Sequence, residues 1–239
     1  EKKGRQNNMY HLWSRKRLQK NNINLIYFDF SFWRVDICRL TLSIGKIPYE
    51  YIRIPRRDWL IKKKSGDFIF GQLPVMTING KMFGQTAAMA RYCGKLANLI
   101  PNNEIDMLLV DQILDVANDI TYIIGPSIRE KNLEKKKKMR LELNKKIIPI
   151  WLSHLENFLM DNRKSDFFIL NKLTIADIVI WRILLWLSCG LLEYISKDIL
   201  KEFKLLNEYF SFISSNETIR KTNEYKEIVK EISKRTTIM

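Results

Sequence analysis

Histidine is nearly absent from this sequence: His11 and His154 are the only two in 239 residues. Two so widely separated cannot build a histidine-based metal site, and each is expected to be a surface or packing residue. Cysteine is scarce as well. Cys38, Cys93 and Cys189 are odd in number, far apart and free of C-x-x-C spacing. That argues against a disulfide framework or a thiolate zinc site and points to a reducing compartment. No long apolar run is present: the longest, Ile178 to Leu192, is interrupted by Arg182. It falls short of the roughly 20 residues that cross a bilayer. Residues 1–22 lack the apolar core of a secretory signal.

What is abundant is apolar and basic. Hydrophobic residues make up 46%, with six Trp and twelve Phe, a globular rather than a disordered composition. The length allows two compact units, each with its own core. The net charge is +15, concentrated in residues 1–22 (+6), 53–64 (+5) and 131–146 (+6), which leaves the rest of the chain at −2. Charge runs of this kind are usually solvated surface, so a nucleic-acid partner is not expected. Residues 1–22 read as a basic, disordered extension, with an amphipathic targeting leader as the alternative. The chain opens on Glu rather than Met, as a fragment or processed form would.

The most informative stretch is Phe70 to Tyr92, FGQLPVMTINGKMFGQTAAMARY. Pro74 has no N–H and must open the strand Val75–Ile78 rather than sit inside it. Asn79-Gly80 suits a type I′ turn, and Met82-Phe83 returns antiparallel. A helix then starts at Gln85-Thr86, with Ala88, Met89, Tyr92 and Leu96 at a period near 3.6. A cis Leu73–Pro74 bond would turn the Leu73 backbone outward to pair with an extended peptide. The helix start offers unpaired N–H groups, a hydroxyl and a positive dipole end to a carboxylate. Together they form a clamp for a short anionic peptide, although an ordinary hairpin feeding a helix has the same outline.

Upstream, Asn24–Phe28 reads as a strand, Arg34–Ser43 as a helix with Val35, Cys38 and Leu42 on one face and Gly45 at its end. Tyr49–Ile54 is a second strand and Asp58–Lys64 a short helix or irregular piece. The order β-α-β-α-β-β-α is that of a thioredoxin-like layer, in which parallel pairing of the first two strands requires the crossover helix. Tyr27 ends the first strand, at the mouth of an open α/β sheet. A phenolic O–H there can donate to a thiolate and lower the thiol's pKa. A core tyrosine capping a strand would look the same.

Gly71-Gln72-Leu73-Pro74-Val75, Asn79-Gly80-Lys81 and Gln85-Thr86-x-Ala88-x-Ala90-Arg91-Tyr92 closely resemble the glutathione-binding half of cytosolic glutathione transferases. The sigma-like class, which includes glutathione-dependent prostaglandin D synthases, is the nearest in wording, and the resemblance runs from about Asn24 to about Tyr225. It implies tyrosine catalysis by Tyr27, within a Leu-x-Tyr-Phe segment of the family, and a supporting Arg34, with Asp36 and Arg39 matching a later acid and Arg. It implies that Trp59 and Lys63 hold the glycine carboxylate of glutathione. Extra residues before Phe70 leave Lys62 and Lys64 as substitutes for Lys63. Gln72 and Leu73, beside Pro74, would face the cysteinyl unit, and Gln85 with Thr86 would grip the γ-glutamyl carboxylate. Asp119 would reach the ligand of a neighbouring subunit. Phe32 and Trp33 stand where the family has a short loop with a small Gly, which threatens to reshape the electrophile pocket or displace Arg34.

The resemblance implies residues 23–97 as a glutathione-binding domain, a linker near Leu96–Pro101, and residues 102–239 as an all-helical domain. Its expected helices are Glu104–Ile124, Leu133–Asn162 kinked at Pro149, Thr174–Tyr194, and shorter ones beyond Asp198. Thr174-x-x-Asp177 is a capping-box start with a structural role. Residues 131–146 are expected to be a solvated helix end or mobile insertion. Hydrophobic substrates would lie between the domains against Phe30, Phe32, Trp33, Thr121, Tyr122 and Trp186. The implied activity is a cytoplasmic, homodimeric transferase that adds glutathione, its co-substrate, to hydrophobic electrophiles or uses it in an isomerase or peroxidase cycle. No metal is required. The alternative is a non-catalytic ligand carrier or assembly module of the same fold.

Overall fold

The computed structural model describes residues 21–163 and 165–237; the basic extension expected at 1–22 lies almost wholly outside them. Four strands form one mixed sheet in the order β2-β1-β3-β4. They are β1 (Ile23–Phe28), β2 (Glu50–Ile54), β3 (Val75–Ile78) and β4 (Lys81–Phe83). Along β1 the side chains alternate, with Ile23, Leu25 and Tyr27 buried on one face, as a pleated strand covered on one side requires. β1 runs parallel to β2 and antiparallel to β3. The parallel pair is joined by helix α1 (Trp33–Ile44). Asn79 and Gly80 both have positive φ, 51° and 84°, which is the turn expected between β3 and β4. The Leu73–Pro74 bond is cis.

Gly45 caps the end of α1, as expected, at φ −72°, and Lys46 after it takes the left-handed conformation, at φ 55°. Gly45 is small because of a close approach: a Cβ there would stand 2.7 Å from the Ala97 Cβ. One local expectation needs correction. In helix α3 (Thr86–Leu96) the buried side is formed by Thr86, Ala87, Met89, Ala90, Cys93 and Gly94, while Ala88 and Leu96 face outward. Packing of α3 against α1 decides this, and the small residues let the two helices approach.

The short helix α2 (Trp59–Lys64) follows a 3₁₀ turn at Arg56–Asp58. The remainder is helical: α4 (Glu104–Arg129), α5 (Leu133–Glu142), α6 (Ile148–Asn162), α7 (Ile175–Ser188), α8 (Lys204–Ser215), α9 (Glu217–Arg220) and α10 (Asn223–Thr237). Asn103 caps α4 by accepting from the N–H groups of Ile105 and Asp106, both at 3.0 Å. α4 runs one turn further than the sequence suggests, through Pro126. That proline withholds a donor from the carbonyl of Tyr122, which lies on the exposed side. Between α5 and α6 the expected kink is a π turn, Leu143–Ile147. It widens the helix just where Pro149 would otherwise clash with the carbonyl four residues back. α7 stops at Ser188, short of Tyr194, because Gly190 turns the chain at φ 85°.

α7 is buried almost all round, and its start is fixed by the capping box. The Asp177 carboxylate, fully buried, accepts from the Thr174 N–H and hydroxyl at 2.8 and 3.0 Å, the Phe168 N–H at 2.8 Å and the Tyr209 hydroxyl at 3.1 Å. Burial pushes this carboxyl up in pKa, and those donors oppose the push. The structural role assigned to Thr174-x-x-Asp177 from sequence is the one these bonds perform.

The sheet layer and the helices are joined by a buried ion pair. Asp36 of α1 accepts from Arg182 of α7 at 2.7 and 3.1 Å and from the Ser31 hydroxyl at 2.6 Å. Asp36 is fully buried and Arg182 is 2% exposed. Asp36→Asn leaves the Arg182 charge buried without its counter-ion, so folding stability is expected to fall by about 3–5 kcal/mol. Urea unfolding checks this through a lowered midpoint; an unchanged midpoint would show that the pair contributes nothing net.

Candidate active site

Two adjoining cavities open between the sheet layer and the helices. The smaller, about 290 Å³, is built by loops at the ends of the strands. Arg34, Trp59, Lys63, Gln72, Leu73, Pro74, Gln85 and Thr86 all line it. These come from four separate segments of the sequence. Trp59 is held edge-on between Phe28 and Phe68, at ring distances of 5.7 and 5.3 Å. Of the three consecutive lysines only Lys63 lines the cavity; Lys62 and Lys64 do not. The Lys63 stem runs beside Gly71, where a Cβ would come within 3.5 Å of its Cε. Leu73 precedes the first paired residue of β3, Val75, so it lies outside the β1/β3 ladder. Gln85 precedes α3 with φ 70° and ψ 112°, a conformation costly for a residue with a Cβ and typical of ligand-holding positions. Thr86, buried, begins the helix, whose first-turn N–H groups have no acceptor within the helix itself.

The larger cavity, about 530 Å³, adjoins the first, and Arg34, Leu73 and Tyr122 line both. Tyr27 stands on its wall. The ring is 4% exposed and packs edge-on against Phe28 and Phe30 at 5.1 and 5.7 Å. Burial pushes the phenol's pKa well above its ordinary value, with the nearby Arg34 charge opposing. Tyr27 therefore stays protonated at neutral pH, with its O–H able to donate a hydrogen bond.

Arg34 is fixed from three sides. It donates to Asn118 Oδ1 at 2.5 Å and its guanidinium lies 4.8 Å from the Trp33 ring and 5.4 Å from the Tyr122 ring. Burial lowers its pKa, and Tyr122 and Tyr27 oppose that shift. Trp33 was expected in the substrate pocket and as a threat to Arg34; both expectations are corrected. Trp33 is fully buried, donates its indole N–H to the Thr121 hydroxyl at 2.9 Å, and lies under the guanidinium as a platform. It begins α1 and faces α4, which puts its ring in the core. Phe30, Phe32, Thr121, Tyr122 and Trp186 do line the larger cavity. Asp119 is exposed on α4 and lines neither cavity of this chain.

Several lining residues are absent from the sequence reading. Arg140, in the lysine-rich stretch expected to be solvated, is 5% exposed and donates Nε–H to the Ser127 hydroxyl. Arg182, Ile232 and Arg235 also line the larger cavity. The last two arrive on α10, which is held to the sheet layer by Glu227 pairing with Arg39 and Arg53 and by Glu231 accepting from the Ser31 N–H at 2.6 Å. Nothing in the local periodicity marks Arg140, because its cover comes from α4 rather than from its own helix. Among the described residues no group of three or more His, Cys, Asp or Glu side chains is arranged to hold a metal, and no helix is long and apolar enough to cross a membrane.

Residues 118–225 match the family model described as glutathione S-transferase, C-terminal domain. The chain is 30% identical over 183 residues to a glutathione S-transferase of Anopheles gambiae, covering 76% of this chain and 86% of that one. It is 31% identical over 180 residues to hematopoietic prostaglandin D synthase of Mus musculus, covering 74% and 86%. The solved structure of prostaglandin synthase D of Nilaparvata lugens matches with a TM-score of 0.72 at 28% identity, over 83% of this chain and 95% of that one. With a helical segment that fits the family's C-terminal model and a relative of this identity aligned along most of both chains, this chain belongs to the glutathione S-transferase family of transferases.

Proposed function

We propose that this protein conjugates glutathione to hydrophobic electrophiles, and that the thiol is activated by Tyr27. The observation that carries this is the convergence of seven expected peptide-contacting residues and Arg34 on the smaller cavity, beside the larger one that holds Tyr27. Glutathione would lie in the smaller cavity. Lys63 and Trp59 receive its glycine carboxylate, Gln72 and the Leu73 backbone its cysteinyl unit, and Gln85 with Thr86 its γ-glutamyl carboxylate. The sulfur then points toward Tyr27, whose protonated hydroxyl donates to the thiolate and lowers the thiol's pKa. Arg34 adds positive charge on the same side. An electrophile in the larger cavity is held next to the sulfur, which converts a bimolecular encounter into a positioned one. The same thiolate serves an isomerase or peroxidase cycle.

The division into a glutathione-binding domain (23–97) and a helical domain (102–239), and a cytoplasmic location, are part of this reading. So is a homodimer, in which Asp119 of each subunit would reach toward its partner's site. Exposed Ile105, Leu108 and Ile123 on α4 give that face the apolar character an interface needs.

Tyr27→Phe is expected to lower conjugation of a chromogenic electrophile about 10²–10³-fold, with retention on glutathione resin nearly intact. Losing the donor raises the thiol's pKa, so the pH–rate profile of the variant moves to higher pH. Equal rates would remove Tyr27 as the activator, and glutathione binding without turnover of any electrophile would select the carrier reading. Lys63→Met should raise KM for glutathione about tenfold or more while Lys62→Met leaves it near wild type; steady-state kinetics on the two variants separates them. Sedimentation equilibrium is expected to give twice the chain mass, with Asp119→Asn weakening glutathione affinity in that dimer. A monomer with full affinity contradicts the shared site.

A further inference from the structure

Residues 131–146, net +6, form α5 and the π turn after it. One side of this segment is buried through Arg140 and Leu143. The other stands in water and holds six exposed lysines, Lys131, Lys135, Lys137, Lys138, Lys145 and Lys146, against two exposed acids, Glu134 and Glu142. Of the six, only Lys135 is paired with an acid, Glu130, at 2.8 Å. Four-residue spacing puts Leu133, Lys137 and Leu141 in one stripe along that outer side. Leu133 is 72% exposed and Leu141 37%. Beside the stripe stands Tyr194, 47% exposed, with the Lys137 ammonium 5.8 Å from its ring. Tyr194 has φ 64°, a left-handed conformation that a bulky side chain adopts at a cost. The Ser196 N–H donates to Asn144 Oδ1 at 2.8 Å, which ties the Tyr194 loop to the π turn.

We propose that this face docks the protein on an anionic lipid bilayer. Its lysines meet the acidic headgroups, while Leu133, Leu141 and Tyr194 enter the boundary between headgroups and acyl chains. The unpaired positive charge supplies the attraction, which acts within a Debye length of the surface. Long lysine stems let the ammonium groups stay in water as the leucines go deeper. The apolar side chains decide between a lipid and a nucleic acid. A phosphate backbone calls for the lysines alone and gives Leu133 and Leu141 nothing to bury against. Leucines and an aromatic ring set among lysines are the pattern of an interfacial helix. None of Leu133, Lys137, Lys138, Leu141 and Tyr194 lines either cavity, so docking here does not depend on the chemistry proposed above.

Flotation of the full chain with phosphatidylcholine vesicles, with and without phosphatidylserine, tests this. Wild type is expected to bind the phosphatidylserine vesicles about tenfold or more tightly than the neutral ones, and to be released by high salt. Lys137→Glu combined with Lys138→Glu should weaken that binding about tenfold or more. Leu133→Ser combined with Leu141→Ser leaves the charge intact and should weaken it about fivefold or more. Lys62→Glu combined with Lys64→Glu makes the same change in net charge on another basic segment and should weaken it far less. All six positions are exposed, and far-ultraviolet circular dichroism checks that each variant folds. No preference for phosphatidylserine, or equal losses from the two lysine pairs, overturns docking by this face. Dependence on the lysines but not on the leucines overturns the lipid assignment and gives the face to a polyanion such as RNA. A sedimentation mass that falls in the α5 variants overturns it as well, because a second copy of the chain then covers the face.

Discussion

The Asp36–Arg182 pair is the contact on which the site's geometry depends. It joins the crossover helix of the sheet layer to the central helix of the helical part, with both side chains removed from water. A buried pair is weak evidence for net stability but is strongly directional. Here the direction matters. Arg182 can satisfy Nε and Nη2 on one carboxylate oxygen only with α1 and α7 at one spacing. That spacing sets the width of the larger cavity, because Arg182 is also part of its wall.

Around this pair a second set of ion pairs brings in the end of the chain. Arg39, one turn after Asp36, and Arg53 of β2 both pair with Glu227 of α10, while Glu231 takes the Ser31 N–H. Ser31 in turn donates to Asp36. The loop after β1 is therefore held from both sides, and that loop follows Tyr27 and leads into Arg34. The position of the phenol and the guanidinium is thus set by residues some two hundred positions away in sequence, through a network that encloses the cavity wall.

The loop after β1 shows how a bulky side chain can be absorbed. A bulky Trp33 would crowd an open pocket. Its ring is instead buried, bonded to Thr121, and used as a surface on which the Arg34 guanidinium rests. The combination of cation–aromatic contact and the Asn118 bond holds a side chain that would otherwise have many rotamers. The larger cavity has aromatic lining from Phe32 and Trp186, whose rings meet edge to face at 5.1 Å.

Local chemistry in the sequence determined much of this molecule. A proline that cannot be inside a strand, an Asn-Gly turn and alternating side chains placed β1, β3 and β4 within a residue, because these signals act over a few positions. Motif wording from Gly71 to Tyr92 named residues that do meet in one cavity. Tertiary structure alone decided which charges are buried. Arg140 sits in a run of lysines that reads as solvent-facing, yet α4 covers it through Ser127. Trp33 reads as a pocket residue and lies in the core. Burial of a side chain depends on what packs over it, and for both residues the covering helix is α4, which no local pattern around Trp33 or Arg140 encodes.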